Sequence, residues 1–248
     1  MIGELAALGA AVSWAIAPIL YRKALASTKP ISANIVRCAT NAAVLVALLL
    51  LLGQIGALTA LPISTIIIVI VSGIIGLGIG DTLYMIGLKH VGVSRAVPLA
   101  ATYPLFSLVW ATFLLHQPIS LTAIAGAIVI VCGIWLLSRE KNDENSTVKN
   151  KLVLIGIVGS LVTAVIWSVS ITLMDVAVSN VNTLNGNYAI ITLRIASIAL
   201  FLGLLAPFLD RGHDFLKMKR SEKASITMYL SRIRCIMRAI TRAVHSCT

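Results

Sequence analysis

Seven apolar runs occupy most of this 248-residue chain, near positions 3–21, 31–52, 63–88, 94–115, 119–137, 152–176 and 187–209. Such runs are long enough to cross a hydrocarbon core of about 30 Å. No water is available there to bond peptide groups, so each run must satisfy its own backbone, which predicts helices rather than strands. Composition agrees: the chain is 58% hydrophobic and 12% charged, about half the charged share of a soluble protein. The expected fold class is an all-α integral membrane protein, a bundle of about seven transmembrane helices. The first run is not expected to be a cleavable signal peptide, because no basic residue precedes it and Arg22 and Lys23 follow it directly.

The first run is also written twice. Gly3 to Leu20 reappears, loosely, at Gly156 to Leu173, with Gly3/Gly156, Leu8/Leu161, Ala11/Ala164, Val12/Val165, Trp14/Trp167 and Leu20/Leu173 in register. Further on, each copy places one arginine in an apolar stretch, Arg37 and Arg194. Five apolar runs separate the two starts, and an odd number inverts the second copy in the membrane. Internal repeats of this kind build alternating-access carriers, with the site at the repeat interface. The predicted order is a five-helix repeat at 1–137, a polar linker at 138–151, two helices of a partial inverted repeat at 152–209, and a basic tail at 210–248. The second copy is read as incomplete, without partners for 63–137.

Charge is distributed unevenly. A net +11 would suggest nucleic acid for a soluble protein, but residues 1–210 hold 11 Lys/Arg against 7 Asp/Glu, while the last 38 hold 9 against 2. No nucleic-acid partner is expected; the bilayer is. In the tail, Ile226, Leu230, Ile233, Met237, Ile240 and Val244 form one helical stripe, with Arg234, Arg238 and Arg242 pointing away. That pattern suits a basic helix lying on an anionic leaflet; a reading-frame change after Leu209 is the other reading. Cys38, Cys132, Cys235 and Cys247 show no CxxC spacing and no histidine at ligand distance. They read as apolar fillers, and no metal or cofactor is expected.

A few polar residues lie inside the runs. Arg37 and Arg194 either line an electropositive cavity for an anionic or zwitterionic substrate or snorkel to the headgroups. Asp81 closes the glycine run of the third span. It is expected to be functional, taking up a proton and coupling transport to an ion; a structural ion pair with Arg37 and a place near the interface are the alternatives. Ser72, Gly76 and Gly80 stand four apart and form a small-residue face for close helix approach. Pro98 and Pro104 break the fourth span and free backbone carbonyls. Trp14, Trp167, Tyr84 and Tyr103 are candidates for a pocket lining. His116 is assigned to a solvated external loop. No Ser/His/Asp set, metal cluster or phosphate loop is found in the spans, so an enzyme is not expected.

The run from Gly80 to Leu137 carries a more specific pattern: Leu88-Lys89 before a small-residue span at Ala96 to Ala101, then Pro104-Leu105-Phe106, and Gly126 with Gly133 in the last span. Together with Trp14/Trp167 and Arg37/Arg194, it resembles the EamA-type transporters of the drug/metabolite transporter superfamily. It departs at His116-Gln117, where that family commonly carries Gly-Glu. Members resemble ten-span, two-repeat proteins that keep the N-terminus inside. The resemblance implies secondary transport of a small organic metabolite, amino-acid-like solutes included. The rival expectation is a truncated or subunit-dependent membrane protein without transport of its own. With the second copy incomplete, a homo-oligomer or a second subunit is expected to complete the missing wall.

Loops after the first, third and fifth runs carry Arg22, Lys23, Lys29, Lys89, Arg95, Arg139, Lys141, Lys149 and Lys151, and the opposite side carries none. The positive-inside rule then places the N-terminus outside the plasma membrane, and the linker and tail in the cytoplasm. In intact cells, an impermeant thiol reagent is expected to label a single cysteine introduced near Gly3 and to spare one in the linker. The reverse pattern would overturn this topology.

Overall fold

Proline and glycine punctuate the apolar runs, and the helices start and stop there. The computed structural model describes residues 2–115, 121–138, 150–181 and 183–209, and no strand occurs among them. Helix α1 spans Ile2–Leu25 and α2 Pro30–Leu51, with Pro30 at a first helical position, where its missing N–H would have no partner anyway. A single turn, α3 (Gly56–Thr59), precedes α4 (Ile63–Gly73). A π-helical segment, Ile74–Gly80, then leads into α5 (Asp81–Val91). Gly92, at φ +80°, makes the sharp turn into α6 (Val93–Ala100), a conformation that a Cβ would disfavour. The remaining helices are α7 (Tyr103–Leu115), α8 (Leu121–Ser138), α9 (Asn150–Ser179) and α10 (Leu184–Leu209).

Every predicted run holds helix, but not always one spanning helix. Among the described residues, four pass the length and apolarity needed to cross a bilayer: Pro30–Leu51, Ile63–Val91, Lys151–Ser179 and Asn185–Phe208. The run at 94–115 is two helices, parted at Ala101 and Thr102, between Pro98 inside α6 and Pro104 at the start of α7. The α8 helix offers a shorter apolar stretch, Leu121–Gly133. His116, residues 139–149 of the predicted linker, and the tail at 210–248 lie outside the described residues.

Contacts between helix ends give the chain directions. Arg22 at the end of α1 donates to the carbonyl oxygens of Leu88 and Lys89, and Lys89 Nζ donates to Thr28 O at 2.9 Å. Gly156, near the start of α9, packs against His90 and Val91 at the same end. So α9 begins where α1 finishes. Likewise α10 puts Ala189 and Ile190 against Leu61 and Val69 at one end, and Leu202 and Ala206 against Ile35 and Cys38 at the other. It therefore runs opposite to α2, its repeat counterpart. This is an all-α membrane helix bundle in which α9 and α10 run opposite to α1 and α2.

The π segment explains how α9 and α10 come close. Lipid tails offer no hydrophobic drive between helices, so small residues and interhelical hydrogen bonds must hold them. A Cβ at Gly76 would overlap Ser170 Oγ, one at Gly78 would stand 2.8 Å from Ile198 Cδ1, and one at Gly80 2.9 Å from Trp167 Cδ1. The stripe of Ser72, Gly76 and Gly80 thus faces α9, with Ser72 Oγ donating to Ser170 O at 3.0 Å and Ser170 Oγ donating to Ser72 O at 2.8 Å. The wider turn alters the backbone ladder, and side chains meet its carbonyl oxygens. Asn34 Nδ2 donates to Leu77 O at 2.9 Å, Thr82 Oγ1 to Gly78 O at 2.6 Å, and Thr163 Oγ1 to Gly80 O at 3.2 Å. In Asn34→Ala the Leu77 and Thr82 acceptors lose their fully buried donor, and the purified protein should lose about 1–3 kcal/mol of stability in thermal unfolding. Thr59→Ala, which removes an exposed local bond to Gly56 O, should stay within about 0.5 kcal/mol. Equal losses in both variants would show that the π segment does not depend on Asn34.

Candidate functional site

Two cations and one acid line one cavity between the helices, and their pairing sets the chemistry of the centre. Arg37 on α2 and Asp81 at the start of α5 form a buried ion pair, with 14% and 5% of the side chains exposed. The same Arg37 Nη2 donates to Asn34 Oδ1 at 3.0 Å. The second carboxylate oxygen, Asp81 Oδ1, accepts from Trp167 Nε1 at 2.7 Å. One carboxylate therefore joins α2, α5 and α9. In a medium of low dielectric the separated charges would be far less stable than the pair. The ion pair offered by the sequence as one reading of Asp81 is thus present, and Asp81 is not an isolated carboxylate. Asn34 and Arg37 share a helix face by their i, i+3 spacing.

Trp167 is also the hub of an aromatic cluster. Its ring lies 5.4 Å from that of Trp14 in an edge-on contact, 5.0 Å from Tyr84, and 6.1 Å from Tyr103, again edge-on. Such offset and edge-on pairs are the favoured aromatic geometries. Ser170, one helical turn beyond Trp167 on α9, accepts a hydrogen bond from Arg194 Nη2 at 2.6 Å. Among the described residues Arg194 has no carboxylate partner, and its Nε is buried and unbonded.

These groups enclose a cavity of about 230 Å³, below the roughly 300–1,000 Å³ of drug-sized sites. All seven polar and aromatic residues singled out from the sequence line it: Trp14, Arg37, Asp81, Tyr84, Tyr103, Trp167 and Arg194. Gly76 contributes wall, whereas Ser72 and Gly80 serve packing only, and neither Pro98 nor Pro104 reaches the cavity. The helix break instead delivers the next residue, Tyr103. The sequence reading missed Tyr21, Ser170 and the supporting Asn34. Two of these carried a usable signal: Asn34 precedes Arg37 by three residues and Ser170 follows Trp167 by three, so each shares a helix face with a residue already chosen.

Removing one partner of a buried pair leaves the other charge uncompensated, at about 3–5 kcal/mol. Asp81→Asn and Arg37→Gln should therefore each lower the unfolding midpoint and the membrane abundance. The double variant should recover about 1–3 kcal/mol relative to the sum of the singles. Strict additivity in that cycle would mean that the pair does not hold α2 to α5.

Residues 1–139 match the EamA-like transporter family. An uncharacterized transporter of Archaeoglobus fulgidus is 28% identical over 177 residues, which is 71% of this chain and 59% of that protein. The chain thus spans less than two thirds of the length of this curated relative. No solved structure matches. With the family matching over more than half of its length, from α1 through α8, this integral membrane chain belongs to the EamA-like transporters.

Proposed function

We propose that the protein is a secondary transporter, rather than an enzyme, that carries a small organic metabolite across the plasma membrane by alternating access. The observation that supports this best is the cavity itself. It lies between helices of the two copies, α1 and α2 on one side and α9 and α10 on the other, and carriers built from inverted repeats bind substrate at such a repeat interface. Its small volume suits a metabolite. Its wall combines aromatic faces with a few fixed polar groups, the usual composition of a small-molecule site.

The mechanism we infer turns on Asp81. Its carboxylate bonds Arg37 within the first copy and Trp167 in the second, so the two halves are latched through one group. Protonation of Asp81 would cancel its charge, weaken both bonds, and let α9 separate from α5. Substrate or a proton exchanging at this latch would then alternate the side to which the cavity opens. Arg37 acts as the fixed counter-charge, and Trp14, Tyr84, Tyr103 and Trp167 act as the substrate-facing wall. The basic loop ends Arg22, Lys89 and Arg95 would face the cytoplasm, with the N-terminus outside.

The test is reconstitution of the full chain in proteoliposomes supplied with a defined mixture of cellular metabolites, with uptake read by mass spectrometry. One or a few small solutes should accumulate. Ala17→Trp, which fills the cavity from α1, should abolish that uptake. Asp81→Asn, measured per reconstituted molecule, should retain exchange of substrate across the membrane while losing uptake driven by a pH gradient. Unchanged uptake in Ala17→Trp would refute the site, and unchanged pH-driven uptake in Asp81→Asn would refute the latch.

A further inference from the structure

The two arginines are repeat counterparts, yet they are in opposite electrostatic states. Arg37 is neutralised by Asp81 and further bonded by Asn34. Arg194 meets a neutral hydroxyl. The proton of Ser170 Oγ is directed to Ser72 O at 2.8 Å, which leaves the oxygen free to accept from Arg194 Nη2 at 2.6 Å. Ser170 therefore orients the guanidinium without compensating its charge. Gly76 makes room for this arrangement, because a Cβ there would overlap Ser170 Oγ and stand 3.1 Å from Arg194 Nη2. Among the described residues no carboxylate bonds Arg194, and a cation held among apolar helices without a bonded counter-ion is expensive and is seldom kept without a use.

The cavity lining carries two cations and one acid, a net charge of +1, and among the described residues Arg194 is the lining cation that no carboxylate bonds. A guanidinium is a planar fork of N–H donors that fits a carboxylate with two parallel bonds. The rest of the wall is the aromatic cluster around Trp167, with the Tyr84 hydroxyl buried and unbonded among the described residues. From this we propose that the transported solute is a small organic monocarboxylate with a flat or apolar body. Arg194 is the group that docks its carboxylate, oriented by Ser170 over the Gly76 notch, and Trp14, Tyr103 and Trp167 receive its body. Arg37 does not bind the anion directly, because its charge is already used. This inference rests on the transport reading above and narrows it to one substrate class.

Binding to the full chain in nanodiscs tests it with three matched probes: 3-phenylpropionate, 3-phenylpropanamide and phenethylamine, read by calorimetry. The carboxylate should bind about 10- to 100-fold tighter than the amide, the range expected for a charge-assisted bond, and the amine should bind no better than the amide. Arg194→Gln should erase the carboxylate preference, and Arg194→Lys should keep part of it, which separates lost docking from lost folding. Equal binding of carboxylate and amide by the unaltered protein would overturn the proposal. So would a full preference surviving in Arg194→Gln, or no binding of any probe. In each of those cases, metabolite uptake that Ala17→Trp still blocks would show that the transport reading stands while the carboxylate class fails. Absence of that uptake would remove the transport reading itself.

Discussion

One carboxylate organises the centre of this protein. Asp81 sits where water is scarce and a lone negative charge would be unstable, so both of its oxygens are bonded, one to Arg37 and one to Trp167. Because those partners come from α2 and α9, a local requirement for charge compensation becomes a constraint on how three helices meet. It also links the two inverted copies directly. Trp167, held by this bond, in turn positions the rings of Trp14, Tyr84 and Tyr103. The shape and the polarity of the cavity thus have a common origin.

A second requirement acts on the backbone. Helices in lipid gain little from burying apolar surface against each other, so their association relies on close contact and polar bonds. The glycines of Ile74–Gly80 permit the contact. Asn34, Thr82, Thr163 and Ser170 supply bonds to the carbonyl oxygens of the π turn and of the residues beside it. The π turn also sets the direction in which the chain enters α5, and so where Asp81 points. Packing and function are not separate in this segment: Gly76 both admits Ser170 and forms cavity wall.

The pseudo-symmetry of the chain is broken where chemistry needs it to be. Two arginines at equivalent repeat positions could each have been paired or each left open. Instead one is tied into the latch and the other faces the cavity beside a hydroxyl. On the transport reading proposed above, this difference would divide labour, with one half responding to a proton and the other holding an anion. Membership in the EamA-like transporter family specifies neither such a division nor a substrate.

Much of this was legible in the sequence, for a definite reason. A bilayer tolerates so few polar residues that each one inside an apolar run stands out, and Arg37, Asp81, Arg194 and the four aromatics were recognisable one by one. The helical class followed equally directly, from run length, and the odd number of runs between the repeat starts anticipated that α9 would run opposite to α1. Sequence alone favoured a proton-accepting carboxylate at Asp81 and left an ion pair with Arg37 and a place near the interface as alternatives, because the choice depends on whether α2 and α5 bring Arg37 within reach. It read 94–115 as one broken span, whereas packing separates α6 and α7 at Ala101 and Thr102 and turns Tyr103 inward. It read the glycine run by α-helical spacing, whereas contacts from α2, α9 and α10 stabilise a π turn that local propensity does not encode. Asn34 and Ser170 look ordinary in a chain rich in small polar residues, and only the third dimension shows them holding a carbonyl and a guanidinium. Composition and order determine what must be buried. Which buried group meets which is decided by helices far apart in the chain.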